Sequence, residues 1–222
     1  MIELEKKESI YFLTLDAGEN RWNTTFVKEI AKALDTIEDD EGQGALITSS
    51  TDSKFFSNGL DLEWMQAPED HPDGGDGKVF GEEFMYLMGR FITLPIPTVC
   101  ALNGHTFGAG FMFALSHDFR IMREDKGFIC ANEMQLGLPI PRPELALFKH
   151  KIPANAFFET VQLSKRWTGA DALKAGIVQG VSSFEELSES ALRKAKELAP
   201  LANNRKNFGH QKEMLYLSLI HI

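Results

Sequence analysis

The chain has little of what would place it outside a reducing, aqueous compartment. Its two cysteines, Cys100 and Cys130, sit in apolar, β-prone runs, which suits buried free thiols better than a disulfide framework. No apolar run approaches the roughly 20 residues that cross a bilayer, and the opening MIELEKKES lacks the apolar core of a secretion signal. Membrane insertion and export are not expected. Positive charge is also scarce: 23 Lys and Arg face 32 Asp and Glu, a net charge of −9. An acidic protein gains nothing from counterion release on a polyanion, so nucleic acid and anionic membrane surfaces are poor partners. Any phosphorylated ligand must then be held by local cations. No cluster of residues has metal-ligand spacing; His71, among aspartates in a Pro- and Gly-rich stretch, reads as part of a solvated loop.

What is present is a sizeable core. Hydrophobic residues make up 43% of 222, with 17 phenylalanines, enough for one large domain or one domain with a small appendage. Residues 9–15 read as a strand. Thr24 or Thr25 is placed to cap a helix reaching about Glu38, with Phe26, Ile30, Ala33, Leu34 and Ile37 at helical spacing. A strand at 45–48 follows, so the chain opens as a βαβ unit. An apolar pair, Phe55-Phe56, runs into the turn Ser57-Asn58-Gly59, and Asp61 is placed to cap the next helical segment. Residues 67–78 read as a mobile surface loop, and a helix over 79–93 leads to the central stretch.

That stretch, 97–118, begins with a short β-prone run that stops at Asn103-Gly104 and continues as Gly108-Ala109-Gly110 and an apolar helix. Small residues at a helix head suit close packing, and the free N–H groups there suit an anion or a developing oxyanion. A tight strand-helix turn explains the same glycines. A dinucleotide-binding turn does not, because Gly104-x-x-x-Gly108-x-Gly110 is not GxGxxG and lies far into the chain. Strands over 119–122 and 127–131 lead into Asn132-Glu133. Between an apolar strand and the proline-rich run 138–143, Glu133 is expected to be partly desolvated, which raises its pKa toward that of a working base; a salt-bridged or capping glutamate is the alternative.

The segments FFSNGLDL, ALNGHTFGAGFMFALSHDFR, ICANEMQLGL and WTGADALKAGIVQGV resemble, in order and spacing, the crotonase (enoyl-CoA hydratase/isomerase) superfamily, and most of all its Δ3,Δ2-enoyl-CoA isomerases of the short plant-like peroxisomal type. The resemblance covers roughly residues 8 to 200. It implies an α/β fold, a spiral of ββα turns around two nearly perpendicular sheets, with core residues 1–165 and a helical region 166–222 that assembles trimers or dimers of trimers. It places the two oxyanion N–H groups on Leu60 and Ala109 and the catalytic base on Glu133. It runs the coenzyme A moiety of an acyl-CoA thioester along Ser57, Asn58, Gly59, Leu60, Asp61 and Leu62, with Asn132 at the acyl end. No metal or redox cofactor is implied, coenzyme A being part of the substrate.

The hydratase branch uses a second glutamate two residues after the last glycine of the oxyanion motif, and here that position is Met112. Methionine does no acid-base work, so the resemblance favours isomerisation over hydration; a hydratase that recruits another acid and a non-catalytic acyl-CoA binder are the competing readings. Arg21, Lys54, Lys206 and Lys212 are candidate phosphate contacts, each equally readable as solvated surface. His105 and His117-Asp118 read as local structure rather than chemistry, and Trp64, Met65, Phe84, Met85, Leu87 and Met88 as core or acyl-pocket wall. The expected location is peroxisome or cytosol before mitochondrion. The ending LSLIHI is not the SKL-type address, but its apolar character looks foreign to the polar segment before it, so the missing address carries little weight.

Overall fold

The computed structural model describes residues 2–66 and 77–220. Of the loop read at 67–78, residues 67–76 with His71, like the last two residues of LSLIHI, lie outside them, while 77–78 are helical.

Strand β1 (Ile2–Lys7) forms a hairpin with β2 (Ile10–Leu15), and helix α1 (Thr24–Glu38) crosses to β3 (Ala45–Ser50), parallel to β2. Three similar turns of chain follow. β3 is succeeded by β4 (Phe55–Ser57) and helices α2 (Leu62–Gln66) and α3 (Gly77–Thr93); β5 (Thr98–Leu102) by β6 (His105–Phe107) and α4 (Ala109–Leu115). The third, β7 (Phe119–Arg123), is succeeded by β8 (Ile129–Cys130), a 3-10 turn at Glu133–Leu136 and α5 (Arg142–Lys151). Each turn contributes its first strand to a large sheet and its second to a small one. The large sheet has the order β1-β2-β3-β5-β7-β9, the last strand being β9 (Gly180–Ser182), and the small one β4-β6-β8. Every pairing except β1 with β2 is parallel. This is the expected ββα spiral.

The remaining helices are α6 (Ala154–Val161), α7 (Gly169–Lys174), α8 (Phe184–Leu198) and α9 (Arg205–Ile220). The part beyond residue 165 is mostly helical, as expected, but it also returns β9 to the edge of the large sheet and lays α8 on that sheet's outer face. There Leu187, Ala191 and Ala195 pack on Ile10, Ile47, Val99 and Ile121. The inner face carries Tyr11, Leu13, Leu46, Cys100, Leu102 and Met122 into the main core, the period-two alternation of strands covered on both sides.

Two local expectations are corrected, and two strands went unread in the sequence. The cap of α1 is Asn23, whose side chain accepts from the Phe26 N–H at 2.9 Å; it precedes the two threonines and is extended, so its short amide reaches the third helical N–H. β1, unread in the sequence, is an edge strand whose alternation dissolves into charge at Glu5-Lys6-Lys7. β6 is too short, at three residues, to show a period. The second correction concerns Lys212, taken above as surface or phosphate contact: it is buried, paired with Asp118 at 2.7 Å and donating to the carbonyls of Leu94 and Ile96. It fastens α9 to the end of α3.

Candidate active site

The three parallel strands of the small sheet end side by side, and the segments leaving them meet. Ligands of parallel sheets gather at such carboxyl ends. From β4 comes Ser57, whose hydroxyl donates to the Asn20 carbonyl at 2.7 Å and accepts from Trp22 Nε1 at 3.1 Å. Ser57 is thus a buried strut. Asn58 donates its amide to Glu19 at 2.8 Å, which, ahead of the Arg21 partner, holds the Glu19 carboxyl below its usual range. Trp22 then bridges the chain on both sides of Leu60: its N–H donates to the Gly59 carbonyl at 2.9 Å, and its carbonyl accepts from Asp61 at 3.0 Å. The Leu60 N–H between them meets no acceptor among the described residues. Asp61 faces away, its carboxylate accepting from the Trp64 N–H at 3.2 Å as the expected cap of α2.

From β6 comes Gly108, whose N–H donates to the Cys130 carbonyl at 3.0 Å and whose φ is +48°. Its backbone lies where an L side chain is strained. The next N–H, that of Ala109, likewise has no acceptor among the described residues. A Cβ on Gly59 would lie 3.8 Å from this nitrogen, so the two unengaged donors belong to touching segments. Gly110 seats α4 on β4: a Cβ there would be 2.5 Å from that of Ser57.

From β8 come Asn132 and Glu133, turned inward by the 3-10 turn that follows. Glu133 Oε1 lies 3.1 Å, and Asn132 Oδ1 3.5 Å, from where a Gly108 Cβ would be. Glu133 Oε2 is buried and has no hydrogen-bond partner among the described residues. Burial raises its pKa, against a smaller lowering by a backbone hydrogen bond. A carboxyl with no ion-pair partner, in a poorly hydrated place, has the raised pKa that suits a base near neutral pH.

These groups share one recess of about 230 Å³, lined by Arg21, Asn58, Gly59, Leu60, Leu62, Gly108, Ala109, Asn132, Glu133, Leu136 and Leu138. Of the residues singled out in the sequence, it brings together Glu133, Leu60, Ala109, Asn58, Gly59, Leu62 and Asn132. Ser57 and Asp61 stand behind its wall. Arg21 reaches it while paired to Glu19 at 2.7 Å. Lys54 lines a different recess with His105, Arg123 and Lys126, at the opposite ends of the small-sheet strands. Lys206 is exposed on α9.

Met112 is buried in the core, as are Trp64, Phe84, Leu87 and Met88, while Met65 and Met85 are partly buried against it. His117 is fully buried between the Phe113 carbonyl at 2.9 Å and the Thr48 hydroxyl at 2.8 Å, and burial lowers its pKa to about 3. It is structural, as its sequence context suggested. Cys100 and Cys130 are free buried thiols, and burial pushes Cys130 up to about 11. Outside the recess lining, Glu144 in the first turn of α5 carries a carboxyl that burial and then the Glu133 charge push up to about 7. In sequence it looks like any first-turn helix acid. Its only signal is that Leu147 and Phe148 follow at helical spacing.

Residues 5–214 match the family model described as enoyl-CoA hydratase/isomerase. The chain is 31% identical over 228 residues to enoyl-CoA delta isomerase 3 of Arabidopsis thaliana, covering 99% of this chain and 93% of that protein. It is 34% identical over 220 residues to the peroxisomal enoyl-CoA delta isomerase 1 of the same plant, covering 97% and 89%. The crystal structure of human mitochondrial delta3-delta2-enoyl-CoA isomerase matches with a TM-score of 0.87 at 24% identity, over 98% of this chain and 84% of that one. At that identity the likeness is one of fold.

Proposed function

We propose, from the premise that the chain belongs to the enoyl-CoA hydratase/isomerase family, that it converts cis- or trans-3-enoyl-CoA to trans-2-enoyl-CoA. The observation that carries the reading is the single recess holding one unpartnered buried carboxyl, Glu133, and two unengaged backbone N–H groups, those of Leu60 and Ala109. Removing a proton from C2 of a 3-enoyl thioester drives negative charge onto the carbonyl oxygen. Two preorganised donors in a water-poor site stabilise that charge by about 3 kcal/mol each. Glu133 is the base for C2, and the resulting dienolate regains a proton at C4. The chemistry calls for no metal or redox cofactor.

Hydration requires a second acid, and the family position for it is the buried Met112, which supports isomerisation over water addition. The two plant relatives named as delta isomerases support the same choice. Asn58, Gly59, Leu62 and Asn132 are the proposed thioester and pantetheine contacts, with Arg21 the phosphate contact nearest the recess. Trimers formed through 166–222, and a place in peroxisomal oxidation of unsaturated fatty acids, complete the proposal.

The test is absorbance on mixing the protein with a 3-enoyl-CoA, beside a trans-2-enoyl-CoA sample. Growth of the conjugated-thioester band in the first, with the second stable, is the expected result. Decay of the band in the second identifies a hydratase, and no change in either a binding protein. With Glu133→Gln, turnover is expected to fall by about 10³-fold while a saturated acyl-CoA still binds; full turnover in that variant would remove Glu133 as the base.

A further inference from the structure

The Leu60 donor sits in a short segment between β4 and α2. Residues 58–61 run beside residues 19–22, and Trp22 and Leu60 form a parallel bridge. Gly59, just before the donor, has a φ of +83°. Glycine is permissive, so its own backbone preference does not fix the peptide plane that carries the Leu60 N–H. The flanking contacts must fix it. On the far side the Trp22 carbonyl holds the Asp61 N–H at 3.0 Å, and on the near side the Asn58 N–H donates to the Glu19 carbonyl at 2.9 Å.

The Asn58 side chain adds a second tie on the near side, and this one ends on a charge. Its amide donates to Glu19 Oε2 at 2.8 Å; the same oxygen accepts from Arg21 Nε at 2.8 Å and lies 2.7 Å from Arg21 Nη2. Hydrogen bonds to an ionised acceptor are the strong ones. Asn58 and Arg21 line the recess, whereas Glu19 does not. One carboxylate behind the wall therefore holds two residues of the wall. Its loop is anchored independently of it: the buried Asn20 donates to the Phe56 carbonyl at 3.0 Å and the Ser50 hydroxyl at 2.8 Å, and its Oδ1 accepts from the Ala17 N–H at 2.9 Å. Removing the Glu19 side chain, which is 42% exposed, leaves those contacts in place.

We propose that Glu19 is a positioning residue of this site: by holding Asn58 ahead of Gly59, its carboxylate keeps the Leu60 N–H aimed at the thioester oxygen, and through the same oxygen it holds Arg21 for a phosphate of coenzyme A. The inference rests on the isomerase reading above. Glu19 touches no reacting atom. It acts through the geometry of a donor, and such donors tolerate little displacement. The two ties have separable consequences. The Asn58 tie acts on kcat whatever tail the thioester carries, and the Arg21 tie acts on KM only where the tail carries phosphate.

The test is kcat and KM for a 3-enoyl-CoA and for the 3-enoyl thioester of pantetheine, which has no phosphate. In Glu19→Ala, kcat is expected to fall about tenfold with both substrates, while KM rises with the coenzyme A thioester alone and the far-ultraviolet circular dichroism is retained. Glu19→Gln keeps one neutral acceptor for two partners and is expected to recover part of the lost kcat. Asn58→Ala removes the same tie from the other end, and it serves if Glu19→Ala does not fold. Combined with Glu19→Ala it is expected to lower kcat no further than the larger single loss, as for residues acting through one contact. Unchanged kcat in Glu19→Ala, a loss confined to KM for the coenzyme A thioester, or losses that multiply in the double variant overturn the assignment alone. Absence of turnover of either thioester by the unaltered protein overturns the isomerase reading and this assignment with it.

Discussion

Gly108 and Glu133 are in contact: a Cβ on Gly108 would lie 3.1 Å from the Glu133 carboxylate oxygen, and the glycine holds a φ of +48° that excludes most side chains. Gly108→Ala therefore strains the backbone and displaces the carboxylate together. We expect stability to fall by about 1–2 kcal/mol and kcat by about 10²-fold, since an ångström of misplacement is enough. Thermal melting beside isomerase kinetics separates the two effects.

Ala109 is the first residue of α4, the one helical position that tolerates proline. Ala109→Pro removes the N–H proposed for the oxyanion and little else. The expected result is a loss of about 10²–10³ in kcat with the far-ultraviolet circular dichroism retained. Unchanged turnover would place the oxyanion elsewhere.

Burial holds the carboxyls of Glu133 and Glu144 above the ordinary carboxylate range, Glu144 up to about 7. Glu133 as the proposed base must be ionised, so kcat is expected to fall as pH drops through its raised pKa, a limb above the range of an ordinary glutamate. For stability the sign is also set. The folded state binds more protons than the unfolded one from the ordinary range up to about pH 7, so stability declines as pH rises through that window. Glu144→Gln is expected to be more stable than the parent at pH 8, by on the order of 2 kcal/mol, with the difference gone by pH 4; melting curves at the two pH values check it.

Lys212 and Asp118 form a pair with the lysine buried, and the lysine also satisfies two carbonyls at the end of α3. Lys212→Ala leaves Asp118 short of its cation and is expected to cost about 3 kcal/mol. Acyl-CoA affinity measured below the lowered melting temperature should not change, which distinguishes this buried role from the phosphate contact its sequence position suggested.

The legible elements were those whose burial is periodic or continuous along the chain. α1 shows its apolar stripe, β3 and β5 their buried runs, and the Asn-Gly and Gly-Ala-Gly punctuation marks where strands of the small sheet give way to turns. β1 and β6 were illegible because an edge strand carries charge and a three-residue strand has no period to show. The proposed base and oxyanion residue stood out in the sequence because Glu133 and Ala109 each closely follow an apolar strand.

The sequence by itself determined the opening βαβ unit and the turns at the strand ends, because local pattern and turn residues act over a few positions; the spiral followed from the family resemblance. Only the tertiary structure decided that, among the described residues, Leu60 and Ala109 keep their N–H groups unengaged in one recess, that the Glu144 carboxyl of α5 is desolvated, and that Lys212 is buried against Asp118. Those facts depend on residues far apart in the chain meeting where water is excluded, and desolvation, which sets the pKa of a carboxyl and the place of a lysine, is a property of the packed molecule.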